Sequence, residues 1–316
     1  MENGIRNIDS EVNSQVVSQT LSLHSHHDTA QSRAELVSRR GFIAGATAAT
    51  GFAAAVAPTG QLLAQVITTD SKGLTSGIVQ INSSGTLIPA FIALPEGKAN
   101  CPVVLVVQEI FGVHEYIRDT CRRLAKEGYM AIAIEAFHRQ GDPTKYTAIP
   151  ELFAAIVSKV PDAQVMADLD ATVAWAKAYG ADTSKLSITG FCWGGRVVWL
   201  YTAHNKGVKA GVAWYGRLTG EVNAMNPSHP YNAADKLNGP VLGLYGGKDT
   251  GIPLTTIDEM KTRLSFGTTA SKASDFVVYP EAPHAFHADY RPSYRKEAAE
   301  DGWTRALAWF KKNGAA

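Results

Sequence analysis

The stretch Leu186-Ser187-Ile188-Thr189-Gly190-Phe191-Cys192-Trp193-Gly194-Gly195 decides the fold. Its first half is an apolar run that reads as a buried strand, and Arg196 to Ala203 beyond it reads as a helix. Between the two lies a turn so sharp that the positions two before and two after its apex press on each other. Gly190 and Gly194 occupy those positions, where a Cβ would clash. Cys192 sits at the apex, in a backbone conformation that only the surrounding strand and helix can hold. The same hexapeptide also fits a glycine-rich turn that buries a cysteine, since free Cys is among the most buried residue types. The rest of the chain separates the two readings.

Outward from this turn, strands alternate with helices. Pro102 to Gln108 is a continuous Val/Leu run, expected of a strand covered on both faces, and Tyr129 to Ile134 is another. Between them, His114 to Gly128 reads as a helix with Ile117, Cys121 and Leu124 at helical spacing and Arg118, Arg122 and Arg123 on the other side. Glu151 to Tyr179 holds two helical segments that part near Pro161. Ala210 to Tyr215, Val241 to Tyr245 and Asp275 to Tyr279 read as further short strands, with helices over Leu254 to Leu264 and Ser293 to Lys312. Thr75 to Ile81 and Leu87 to Leu94 read as an antiparallel pair turning at Asn82-Ser83-Ser84-Gly85. The pattern predicts an α/β fold, a mostly parallel central sheet of about eight strands flanked by helices, over residues 75–316.

Active sites in such sheets gather at the C-terminal ends of the strands. Cys192, Asp249 and His284 each lie just past a predicted strand, in the order nucleophile, acid, histidine. A thiol attacks an acyl carbon well only as thiolate. His284 is placed to take its proton, Asp249 to hold the imidazole in one tautomer, and the following helix to set its positive end beside Cys192. The Trp193 N–H and, from the loop after the Pro102–Gln108 strand, the Ile110 N–H are the candidate oxyanion donors. Each residue also has a plainer reading. Asp249 suits a turn, His284 and His287 suit a surface loop, and Glu109 suits a cap or a salt bridge to Arg139.

The N-terminal region differs in composition. Residues 1 to about 37 are polar and aperiodic, with a His24-Ser25-His26-His27 patch, and read as disordered tail. Ser38-Arg39-Arg40-Gly41-Phe42-Ile43 and the soft Ala/Gly run to Ala57 resemble a twin-arginine export signal, with Ala55-Val56-Ala57 or Leu62-Leu63-Ala64 as cleavage sites. The expected organisation is a tail and signal over 1–57, a linker over 58–74, and one catalytic domain over 75–316. The expected destination is the bacterial periplasm, reached through the twin-arginine machinery with no stable membrane span after processing.

The 316 residues are 45% hydrophobic and 19% charged, with formal net charge +1, so nothing points to nucleic acid or an anionic membrane as partner. Three cysteines are too few for a disulfide scaffold, and Cys101 and Cys121 are expected as free thiols.

Taken with Gln108-Glu109-Ile110-Phe111-Gly112-Val113, Gly246-Gly247-Lys248-Asp249 and Ala282-Pro283-His284-Ala285-Phe286, the turn makes the chain resemble the dienelactone hydrolase (carboxymethylenebutenolidase) family of the α/β-hydrolase superfamily, from about residue 75 onward. The resemblance implies a Cys192–His284–Asp249 triad, a thiol-activating role for Glu109 and a substrate-carboxylate contact for Arg139. It implies hydrolysis of an enol-lactone, 4-carboxymethylenebut-2-en-4-olide, to maleylacetate through an acyl-enzyme, without metal or organic cofactor. Where the family carries a second substrate-binding arginine this chain has Ala288, with Arg291 following. A broad carboxylesterase or thioesterase, an exported binding protein and a thiol redox role are the competing readings. The oligomeric state is left open by the sequence.

Overall fold

The computed structural model describes residues 66–316. The expected polar tail, the expected twin-arginine-type signal and the expected linker up to residue 65 lie outside the described residues. The sheet has eight strands: β1 (Leu74–Ser83), β2 (Thr86–Pro95), β3 (Pro102–Val107), β4 (Met130–Ile134), β5 (Asp182–Phe191), β6 (Val208–Trp214), β7 (Val241–Gly246) and β8 (Asp275–Tyr279). Their spatial order is β1-β2-β4-β3-β5-β6-β7-β8. Only β2 runs against its neighbours; the pairs from β4 through β8 are all parallel.

The local causes are legible. The β1–β2 hairpin turns at Ser84 and Gly85, both at positive φ (51° and 84°), as a two-residue turn matched to strand twist requires. β3 and β4 carry almost only Val, Ile, Ala, Leu and Met because both sheet faces are covered.

Helices fill the crossovers: α1 (Glu115–Lys126), α2 (Ile149–Ala155), α3 (Asp162–Tyr179), α4 (Trp193–His204), α5 (Pro230–Ala233), α6 (Leu254–Ser265), α7 (Thr269–Lys272) and α8 (Lys296–Lys312). The helical pattern from Ser293 begins three residues later than its periodicity suggests, because the chain first turns through Arg291 and Tyr294. In α1, Ile117, Cys121 and Leu124 are buried as spaced. Its arginines are not free: Arg122 and Arg123 both hold Asp119, and Arg123 also reaches the buried Asp289. α3 ends at Gly180 in the left-handed conformation (φ 98°) that a helix C-terminus favours.

Two ion pairs, one of them buried and the other partly so, tie the layers together. Arg196 of α4 grips Asp162 at the start of α3 with both guanidinium nitrogens (2.7 and 2.8 Å). Arg139, just past β4, grips Asp168 of α3 (2.7 and 3.0 Å) and the Ser83 carbonyl of β1, while the Ser83 hydroxyl also donates to Asp168. Cys101, Cys121 and Cys192 are all free thiols.

Candidate active site

Cys192 follows β5 directly and precedes the first residue of α4, with φ 54° and ψ −113°. No L-residue takes that backbone without support. The support is the close approach of three backbones. A Cβ on Gly190 would stand 2.5 Å from the Gly194 carbonyl oxygen. One on Gly194 would stand 2.4 Å from the Val107 carbonyl oxygen, and one on Gly195 2.5 Å from that of Trp214. The Cys192 N–H is spent on the Trp214 carbonyl (3.0 Å), which pins the turn to β6.

The sheet then brings the three remote residues together. Asp249 follows β7 and His284 follows β8. His284 Nδ1 and Asp249 Oδ2 are 2.6 Å apart, and the Asp249 side chain is almost wholly buried. The Cys192 thiol lies near enough to the His284 imidazole to raise its hold on a proton. Burial opposes an imidazolium here, but the hydrogen bond to Asp249 and the nearby Cys192 thiol, with the charges of both, outweigh it and push His284 up to about 10. Asp249 is itself shaped by its turn, accepting from the Gly251 N–H at 2.9 Å. The turn reading and the charge reading of this residue are therefore both satisfied.

Glu109 leaves the end of β3 inside a tight turn in which it pairs with Gly112 (φ 80°). Its carboxylate is fully enclosed. Oε2 accepts from the Tyr290 hydroxyl at 2.7 Å and lies 3.3 Å from His114 Nε2, while Oε1 has no hydrogen-bond partner. Burial works against its ionisation, yet the His114 bond and charge, the Arg291 charge and the Tyr290 bond hold it below the usual carboxylate range. Neither the cap nor the Arg139 salt bridge describes it. Ile110 follows in the same turn. Trp193 opens α4, so its N–H has no acceptor within the helix. Its ring packs edge-on against Phe137, 4.8 Å between centroids.

Arg139 is not brought to the triad. Its guanidinium is committed to Asp168 and Ser83, on the β1 side of the molecule. His287, which the sequence suits to a surface loop, is 2% exposed. The Tyr116 hydroxyl bonds its Nδ1 at 2.6 Å, and its ring stacks between Phe191 and Trp303. Burial, and after it the Arg123 charge, hold His287 well below the usual histidine range, so it is a neutral acceptor.

Sequence reasoning missed the tyrosines around the site. Tyr215, at φ 40°, packs edge-to-face with His284, 5.1 Å between ring centroids. Its position one residue past β6 is a strand-end signal of the same kind that singled out Asp249. Tyr290 and His114 carry no local signal; only their meeting at Glu109 marks them. Among the described residues no group of three or more His, Cys, Asp or Glu is placed to hold a metal ion, and no helix is long and apolar enough to cross a membrane.

An eight-stranded, mostly parallel sheet flanked by helices, with Cys192 on the strand–helix turn after β5, defines the α/β-hydrolase fold. Residues 88–314 match the dienelactone hydrolase family, and the chain belongs to that family. A relative from Methylorubrum extorquens, provisionally named carboxymethylenebutenolidase, is 58% identical over 282 residues, covering 89% of this chain and 94% of its own. One of the same provisional name from Escherichia coli K12 is 50% identical over 269 residues, 85% of this chain and 97% of its own. A crystal structure from Klebsiella pneumoniae, provisionally titled dienelactone hydrolase, superposes with a TM-score of 0.73 at 56% identity, over 75% of this chain and 98% of that one. The protein is a dienelactone hydrolase-like enzyme of the ester- and lactone-cleaving class.

Proposed function

We propose that the enzyme cleaves a lactone or carboxylic ester through a thioester on Cys192. The observation that carries this is the His284–Asp249 pair at 2.6 Å across the ends of β8 and β7, with the Cys192 thiol at the end of β5 near enough to raise the imidazole's hold on a proton. Asp249 holds the Nδ1–H tautomer, so Nε2 takes the thiol proton. The thiolate attacks the acyl carbon, and the negative charge that develops on the carbonyl oxygen is met by the Trp193 and Ile110 N–H groups. His284 returns its proton to the leaving oxygen, the C–O bond breaks, and a thioester remains. A water that gives its proton to His284 then attacks the thioester carbon, releasing the carboxylate product and the thiolate. Glu109 has one braced oxygen and one without a partner, which suits it to assist loss of the thiol proton.

The substrate is taken to carry an anionic group. Arg139 is engaged elsewhere, so Arg291 is the better candidate to meet it. It forms no salt bridge among the described residues, lies 5.6 Å over the Phe111 ring, and its charge reaches Glu109. Export through the twin-arginine route remains part of the proposal, resting on Ser38-Arg39-Arg40 and the run that follows.

Turnover of 4-carboxymethylenebut-2-en-4-olide set against a panel of p-nitrophenyl esters tests the reading. Lactone turnover alone favours the narrow activity, and turnover of both favours a broad carboxylesterase. A Cys192→Ala protein that keeps its rates on every substrate overturns both.

A further inference from the structure

A cavity of about 670 Å³ opens beside the turn that carries Glu109, and nothing in the reaction above uses it. Its inner wall is His114 and Tyr290, the two residues that brace Glu109. Phe111, Gly112 and Val113 continue that wall directly from Ile110. The outer walls come from the loop after β4, at His138 and Gly141 to Thr144, and from Val66 and Ile67. Those last two residues precede the stretch that matches the family. The volume falls in the range of about 300–1,000 Å³ that encloses ligands of some size, mostly by apolar contact.

Several polar side chains line the cavity, among them Glu115, Arg118, Asp119, Glu135 and Asp142. The Glu135 carboxyl is buried at the end of β4, its Oε1 accepting from the Val113 N–H at 3.0 Å. Oε2 has no hydrogen-bond partner among the described residues. Gly112 leaves it clear: a Cβ there would stand 3.2 Å from Oε2 and 3.0 Å from Pro143 Cγ. No cation is paired to this carboxyl. The Arg118 Nε is spent on the Val113 carbonyl, and its guanidinium lies over Phe91. A largely enclosed carboxyl held by no salt bridge can offer a hydrogen bond to a neutral partner.

We propose that this cavity receives an uncharged, largely apolar portion of the substrate, anchored by a carbonyl or hydroxyl hydrogen-bonded to Glu135. It rests on the ester- and lactone-hydrolase reading and extends it, because it gives the enzyme a preference for acyl or alkoxy groups bulkier than a small ring. Ile67 and His138 both line the cavity, stand exposed and lie outside the strands, so tryptophan at either place is expected to narrow the cavity without touching the sheet.

The test uses two esters and one amide. The ratio of kcat/KM for p-nitrophenyl 4-phenylbutyrate to that for p-nitrophenyl acetate is measured in the wild type and in Ile67→Trp and His138→Trp. The expected wild-type ratio is tenfold or more, falling at least tenfold in both variants. Calorimetric binding of 4-phenylbutanamide, which is neutral and not hydrolysed, is measured on the same proteins and on Glu135→Ala. Binding to the wild type that weakens at least fivefold in all three variants supports the proposal. No binding to the wild type, or ratios and affinities that the variants leave unchanged, overturns it. If neither ester turns over while the amide binds and the variants weaken it, the hydrolase reading falls and the pocket stands.

Discussion

Replacing Glu135 by glutamine isolates one buried carboxyl and sets a sign that solution measurements can check. Burial is the main influence on Glu135 and pushes it up; the Val113 N–H and the Arg118 charge oppose that, the Asp142 charge adds to it, and the net result is about 7. The folded chain therefore holds this proton more tightly than the unfolded chain, whose carboxyl titrates near its ordinary 4.5. Unfolding becomes easier as pH rises through that window and levels off above about 7. At roughly 1.4 kcal/mol per tenfold, the loss attributable to Glu135 is at most about 3 kcal/mol. Glutamine keeps an oxygen for the Val113 N–H and has no proton to lose. Urea denaturation at pH 4.5 and pH 8 should show the Glu135→Gln variant gaining on the wild type between the two, by up to about 3 kcal/mol. A stability gap that is the same at both pH values refutes the burial argument for this group.

Asp249→Asn should lower kcat/KM by about 10,000-fold through loss of the tautomer that presents Nε2 to the thiol. The alkaline fall of any residual activity should also move down from about 10, because the His284 imidazolium loses its buried counter-charge; a pH–rate profile reads both. Gly194→Ala drives a Cβ to 2.4 Å from the Val107 carbonyl and should cost about 3 kcal/mol or more, whereas Gly77→Ala meets nothing within 4 Å and serves as the control in thermal melts. Arg139→Ala leaves Asp168 buried without its cation, so a loss of about 3–5 kcal/mol is expected. Unchanged stability with a raised KM for anionic esters would return Arg139 to the substrate.

The elbow was readable because its requirement is local: two glycines flanking Cys192 within five residues suit a very tight strand–helix turn. The meeting of Asp249 and His284 was readable for a related reason, since a strand end is visible in the apolar pattern and the parallel sheet aligns all such ends. The Arg139 pairing was not, because Asp168 lies 29 residues away on a helix whose contact with β1 leaves no periodic trace. His287 shows the converse. A Pro-rich loop suggests the surface, but this one folds back beneath the triad, and aromatic rings from β5, β6 and α8 close over the imidazole. Tyr290 and His114 matter only through a carboxylate 181 and 5 residues from them, respectively, a relation that only the folded chain displays.

The central claim is that Cys192 carries the acyl group. Mass spectrometry of the protein quenched in acid during turnover of an activated ester reads this directly. One acyl mass is expected, on the peptide containing Cys192, absent from Cys192→Ala and persisting longer in His284→Ala if any forms there. Turnover at wild-type rate with the adduct on another residue, or turnover undiminished in Cys192→Ala, contradicts it.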